Sequence, residues 1–165
     1  MGLYSSTELE RKTVNLISVF KRLGASLDSS SFSKRLKIQK IVYMLQLHPE
    51  FRKYLDFPFN MYFYGPYSPL LAQVYYNLPK HVESAEIVLS EVALEYGRKI
   101  LEFDFNSLQL TATLAETIRF NRGRVNDEAL LSLVHSLKPY YPLEKIKKAL
   151  DELKRLVEEY GLELT

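Results

Sequence analysis

Apolar residues recur along this chain at helical spacing for most of its length. Leu9, Leu16, Phe20 and Leu23, flanked by Val14 and Ile17, form one stripe. It predicts a first helix over Thr7 to Leu23, opened by Ser5, Ser6 or Thr7 and ended by Gly24. Four serines and an Asp between Ala25 and Phe32 read as a loop. Ile38, Ile41, Val42 and Leu45 share one face of a second helix, Ser33 to Leu47, with Pro49 beyond its end. A short helical turn is expected over Glu50 to Leu55.

The pattern then changes. Phe59 to Tyr64 is dense in aromatics and reads as a strand, with Gly65-Pro66 as the turn after it. Ser68 followed by Pro69 is an N-cap with proline at the first helical position, so a third helix is expected over Pro69 to Leu78. Between Glu83 and Thr111 two readings stand. Glu86 to Val92 and Ile100 to Phe105 alternate as strands would, with a turn near Tyr96-Gly97; Ala93 to Leu101 also reads as a helix. The last third is helical, from Thr111 or Thr113 to before Gly123, then from an Asn126 cap, then from Pro142 to Gly161. Ala129, Leu130, Leu133, Val134 and Leu137 form the apolar side of the Asn126-capped helix. The expected fold is therefore α+β but mainly α, one domain over residues 1–165, with a small antiparallel sheet and a winged-helix-like arrangement.

Composition narrows the chemistry. The 165 residues carry 22 Lys and Arg against 20 Asp and Glu, a formal charge of +2, so any nucleic-acid surface must come from local clustering. No cysteine is present, which removes disulfides, thiolate metal sites and a cysteine nucleophile. No segment reaches the ~20 apolar residues of a membrane span, and the chain reads as cytoplasmic, with no membrane partner. His48, His81 and His135 have no ligand spacing among them, so no metal is expected. The phosphate-binding glycine motifs and the nucleophile-elbow motif are absent as well, so neither cofactor nor catalytic residue is assigned. An enzyme would require His81, Asp104 or His135 to converge from distant segments on a polar pocket.

Two clusters suggest binding. Lys34, Arg35, Lys37 and Lys40 place four cations in seven residues. On a helical wheel Lys37 and Lys40 lie together, Lys34 is near and Arg35 is apart, which predicts a basic flank able to meet phosphates or an acidic partner, or simply a solvated face. Tyr67 and Gln73, around the Ser68-capped helix, are candidate base or phosphate contacts, and Arg122 and Arg124 a second phosphate contact. Tyr62, Phe63 and Tyr64, with Tyr67, are either core packing or an interface patch. In the last helix Leu143, Ile146, Leu150, Leu153 and Val157 recur at three and four residues. They form either a seam between two copies or a face capping the core.

The pair Lys37-Ile38-Gln39-Lys40-Ile41-Val42-Tyr43 and Tyr64-Gly65-Pro66-Tyr67-Ser68 resembles the paired motif of Panacea-domain proteins, the SocA-like antitoxins and their bacterial and archaeal relatives. The resemblance covers Lys34 to Leu78 and extends loosely to Leu110-Thr111, which is similar to a pair closing a wing in winged-helix regulators. It implies a mostly helical domain with a small sheet, a toxin-like protein partner neutralised by direct contact, and no catalytic residues. Lys37, Gln39, Lys40, Tyr43, Tyr64, Gly65 and Pro66 match the motif. Their implied role is structural, with Gln39 or Tyr43 hydrogen-bonding the turn at Gly65-Pro66. A DNA-binding regulator is the alternative.

Overall fold

The computed structural model describes residues 5–81 and 83–164. In chain order the elements are α1 (Ser6–Arg22), α2 (Phe32–Leu45), α3 (Pro49–Arg52), β1 (Asn60–Tyr62), β2 (Gly65–Tyr67), α4 (Pro69–Tyr76), α5 (Glu91–Glu102), α6 (Phe105–Phe120), α7 (Asp127–Leu137) and α8 (Leu143–Tyr160). Mainly helical with one small antiparallel sheet, this is the expected class. No helix among the described residues is long and apolar enough to cross a membrane.

The organising element is α2. Every residue from Ile38 to His48 is buried, because α2 packs against α4, α5, α6 and β2. A helix covered on all sides needs no polar face, so one-sided amphipathicity is a poor guide to it. Leu16, Val19 and Phe20 of α1, Leu94 and Ile100 of α5, and Leu108 and Leu114 of α6 complete the core.

Side-chain caps start most helices. Ser5, Ser31, Ser68, Ser90, Asp104 and Asn126 each accept a backbone N–H from the first turn that follows. Gly24 and Gly161 follow α1 and α8 in the left-handed region.

Between residues 83 and 111 the helical reading of Ala93 to Leu101 holds, as α5, and the strand readings do not. Glu86 to Ser90 forms no strand or helix, and Glu91 and Val92 open α5. Side chains take N–H groups of the segment before α5: Ser18 Oγ accepts from Ala85 at 2.9 Å, the Tyr54 hydroxyl from Val88 at 3.0 Å and Glu50 from Ser90 at 2.8 Å. Its alternation is real, since Ile87 and Leu89 are buried, but it reflects packing on helices. Ile100 to Phe105 is not a strand either. It spans the end of α5 and the start of α6, and Asp104, read as a strand's solvent side, caps α6 through Ser107 N–H at 2.7 Å. Leu110-Thr111 lies inside α6 and closes no wing.

The sheet is a hairpin at 60–67. Tyr62 pairs with Gly65 and Asn60 with Tyr67, so Phe63 and Tyr64 make the turn. Gly65-Pro66, expected as the turn, is strand β2. Gly65 sits at φ +96°, where a side chain is strained.

The seam of α8 is buried in the chain's own core. Ile146, Leu150 and Leu153 are covered, Val157 is half-buried and Leu143 is partly exposed. Most of the residues that would join two copies instead pack against α6 and α7. On α7 only Leu130 and Val134 of the expected apolar side are buried; Leu133 and Leu137 face solvent.

Candidate functional site

The hairpin lies along α2, and polar side chains fix it from below. Gln39 is fully buried and bonds both backbone groups of Ser68. Ser68 N–H donates to Gln39 Oε1 at 2.8 Å, and Gln39 Nε2 donates to Ser68 O at 2.9 Å and to the Tyr75 hydroxyl at 3.2 Å. Ser68 in turn caps α4 through Leu71 N–H at 3.2 Å. The expected bond from Gln39 or Tyr43 to Gly65-Pro66 is not made: Gln39 bonds Ser68 at the start of α4, and Lys40 takes the Pro66 carbonyl. Tyr43 stacks edge-on to Phe59 at 5.2 Å, and its hydroxyl donates to Glu116 at 3.0 Å. Burial raises the Glu116 carboxyl above its ordinary value, against that hydrogen bond and the Arg119 guanidinium 3.6 Å away.

Lys40 corrects the reading of a basic flank. Its side chain is 0% exposed, and its ammonium donates to Pro66 O at 3.0 Å. The hairpin folds over the face of α2 that the helical wheel assigns to solvent. Burial, then the charge of Lys138, draws the Lys40 amine down to about 7. Lys138, in the loop after α7, is 2% exposed and donates to Phe63 O at 2.9 Å. Nothing in the sequence singles it out, since a lysine before a proline reads as a solvated loop.

The other candidate cations are engaged or apart. Lys34 is ion-paired with Asp28 at 2.6 Å. Arg35 donates to Ser29 O at 3.1 Å and lies over the Tyr76 ring at 5.4 Å. Lys37 is half-buried on α2, while Arg122 and Arg124 are exposed in the α6–α7 loop, Arg122 at φ +53°. Gln73 is exposed on α4, where its carbonyl accepts the Asn77 side-chain amide at 2.7 Å. Tyr67 is half-buried, edge-on to Tyr62 at 5.5 Å. No uninterrupted basic strip runs from Lys34 to Lys40.

The hairpin tip is different in character. Phe63 is 86% exposed, Tyr62 49% and Tyr64 43%, with Met61 beside them. Tyr64 meets Phe32, itself exposed at the start of α2, edge-on at 5.7 Å. These aromatics are not core packing. The tip is also supported, because Lys138 holds the Phe63 carbonyl while Lys40 and Gln39 hold the returning strand and its exit.

The residues weighed for catalysis stay apart. His81 lines a groove between α1 and α4 with Leu9, Val14 and Val74, whereas Asp104 borders another between the α5–α6 junction and α8. His135 lies on α7 and lines neither groove. Among the described residues no three His, Asp or Glu side chains gather as metal ligands would. No family model, curated protein or solved structure matches the chain.

Proposed function

We propose that this chain is a non-catalytic docking domain that engages a protein partner, of the toxin-like kind the Panacea resemblance implies, through the tip of the β1–β2 hairpin. The observation that carries the reading is Phe63, 86% exposed on a hairpin held from beneath by three buried side chains. A bare phenylalanine on a rigid support buries a large apolar area on contact and loses little conformational freedom in doing so. Met61, Tyr62, Tyr64 and Phe32 surround it, and Tyr, Phe and Met are the residue types enriched in the centres of protein interfaces. DNA contact along α2 has less support, since Lys40 is inside the fold, Lys34 is neutralised by Asp28 and Arg35 is folded onto Tyr76.

The test is site-specific photo-crosslinking in the source cells. A photoreactive phenylalanine analogue at position 63 gives one discrete protein adduct, and Tyr62→Ser with Tyr64→Ser abolishes it. The same analogue at Tyr76, exposed on α4, gives none. A nucleic-acid adduct at position 63, or equal labelling from both positions, would overturn the proposal.

A further inference from the structure

We infer that the groove between α1 and α4 is a binding site for a small apolar organic cation, an amine or quaternary ammonium carried on a hydrocarbon body. The inference rests on the groove alone and is independent of what the hairpin tip docks.

The first ground is space. The groove offers about 600 Å³, inside the range of about 300–1,000 Å³ usual for small-molecule sites. The two helices that bound it pack against one another, so its walls are regular backbone and hold their shape.

The second ground is the apolar surface. Leu9 and Val14 of α1, Val74 of α4 and Pro79 beyond it line the groove. Val74 is 3% exposed, and Leu9 and Val14 are half-buried. The neutral polar side chains add little to the lining. Thr13 donates its hydroxyl to Leu9 O at 2.7 Å, and Asn77 its amide to Gln73 O at 2.7 Å, so both are turned to carbonyls of their own helix. A hydrocarbon body gains free energy by burial against such a surface.

The third ground is charge. Glu10 of α1 and Glu83 of the loop after α4 line the same groove, and no Lys or Arg among the described residues does. Arg11 and Lys80 are near in sequence but lie outside the lining. Neither glutamate is ion-paired among the described residues. Other grooves of the molecule carry their own counter-charges. The one against α8 sets Lys145, Lys148 and Arg155 beside Glu102, Asp104 and Glu152, and the one over α5 sets Arg98 and Lys99 beside Glu91, Glu95 and Glu102. Two carboxylates without a basic neighbour attract a cation and repel an anion. Glu10, Glu83 and His81, which also lines the groove, do not gather closely enough to hold a metal ion. The cation that fits is therefore one attached to an apolar body.

The experiment uses the full chain and three ligands of one skeleton: phenylpropylamine, phenylpropanol and phenylpropanoate, at about pH 8, where an alkylamine is charged. Binding is followed by backbone amide shifts in two-dimensional NMR at low salt. The amine shifts amides of residues 9–14 and 73–77 saturably. The alcohol binds the same place about three- to tenfold more weakly, the difference two exposed carboxylates supply, and the acid more weakly still. Glu10→Gln combined with Glu83→Gln lowers the amine to the affinity of the alcohol and leaves the alcohol unchanged. Should that variant not fold, the three ligands on the unaltered protein decide. Equal affinity for amine and alcohol, undiminished amine binding by the double variant, or no saturable shift in the groove at millimolar amine would each refute the inference.

Discussion

Replacing Gln39 by leucine tests whether the α2-to-hairpin clamp is a main source of stability. Leucine keeps the approximate volume but offers no hydrogen bonds. It strands the Ser68 N–H and removes a partner of the Tyr75 hydroxyl, which Gln39 bonds at 2.8 and 3.2 Å, whereas the Ser68 carbonyl loses its 2.9 Å bond to Gln39 but keeps the Ala72 N–H at 3.1 Å. Ser68 is fully buried and Tyr75 nearly so, and water has no easy route to them. Each buried polar group left unpaired costs about 1–3 kcal/mol. Taking the Ser68 N–H near the middle of that range gives about 2 kcal/mol, with the tyrosine adding less because its hydroxyl can rotate. Against a typical total of about 5–15 kcal/mol this is a measurable share. For a chain of this size it lowers Tm by about 4–8 °C. Urea unfolding followed by circular dichroism measures the loss directly, and Gln73→Leu on the exposed side of α4 serves as control, expected within about 0.5 kcal/mol of the parent. If Gln39→Leu costs less than about 1 kcal/mol, the clamp is not holding the hairpin and its rigidity must come from elsewhere.

Other outcomes follow from particular contacts. Gly97→Ala puts a Cβ 2.7 Å from Leu23 Cδ2 and 2.8 Å from Phe51 Cζ, an overpacking worth about 1–3 kcal/mol in a denaturant titration. Leu153→Ala, in the buried stripe of α8, lowers stability by about 2–5 kcal/mol with no change in sedimentation; a shift in oligomeric state would instead restore the seam between copies. The unfolded chain binds the Lys40 proton up to its ordinary value of 10.5, while the folded chain releases it near 7. The folded state is therefore favoured as pH rises from 7 towards 10.5, by up to about 1.4 kcal/mol per pH unit. Lys40→Met removes that slope, and an unchanged slope would mean that Lys40 is not the group responsible.

How far the sequence reveals this molecule depends on whether a local signal decides each element. Ser68-Pro69, Asn126 and Gly161 are local stereochemical instructions, and α4, α7 and α8 begin or end where they direct. The stretch from 86 to 105 carries two conflicting signals. Val88, Val92 and the alternation around Phe103 favour strands, whereas Ser90 and Asp104 are caps whose partners lie three residues on, and the caps prevail. The hairpin's turn is displaced because Gly65 uses its positive φ inside the strand, opposite Tyr62, and not at the corner. The α8 stripe has the right spacing for a helix pair, but spacing cannot say whether the facing surface belongs to the same chain. At the candidate site, Gln39 bonds Ser68 and not Gly65-Pro66, because Lys40, read as a solvent-facing cation, occupies the Pro66 carbonyl. Lys138 is not legible at all, because it is brought there only by the packing of α6, α7 and α8.

The same reasoning explains why counting charges misleads in this chain. Lys12, Lys40 and Lys138 are all buried, and each reaches an irregular or edge segment whose carbonyls lack backbone partners. Lys12 donates to Leu55 O at 3.0 Å and Asp56 O at 2.9 Å, where Asp56 turns at φ +46°. Lys40 and Lys138 do the same for Pro66 and Phe63. A long flexible stem with a multiple donor at its end suits carbonyls that no helix or sheet serves. Burial pulls all three amines below their ordinary range. With these three removed from the 22 basic residues, the cations left at the surface are outnumbered by the 20 acids. The formal +2 is thus not a charge the surface presents, which weakens attraction to a polyanion and leaves the bare aromatic tip as the feature with the most to gain from a partner.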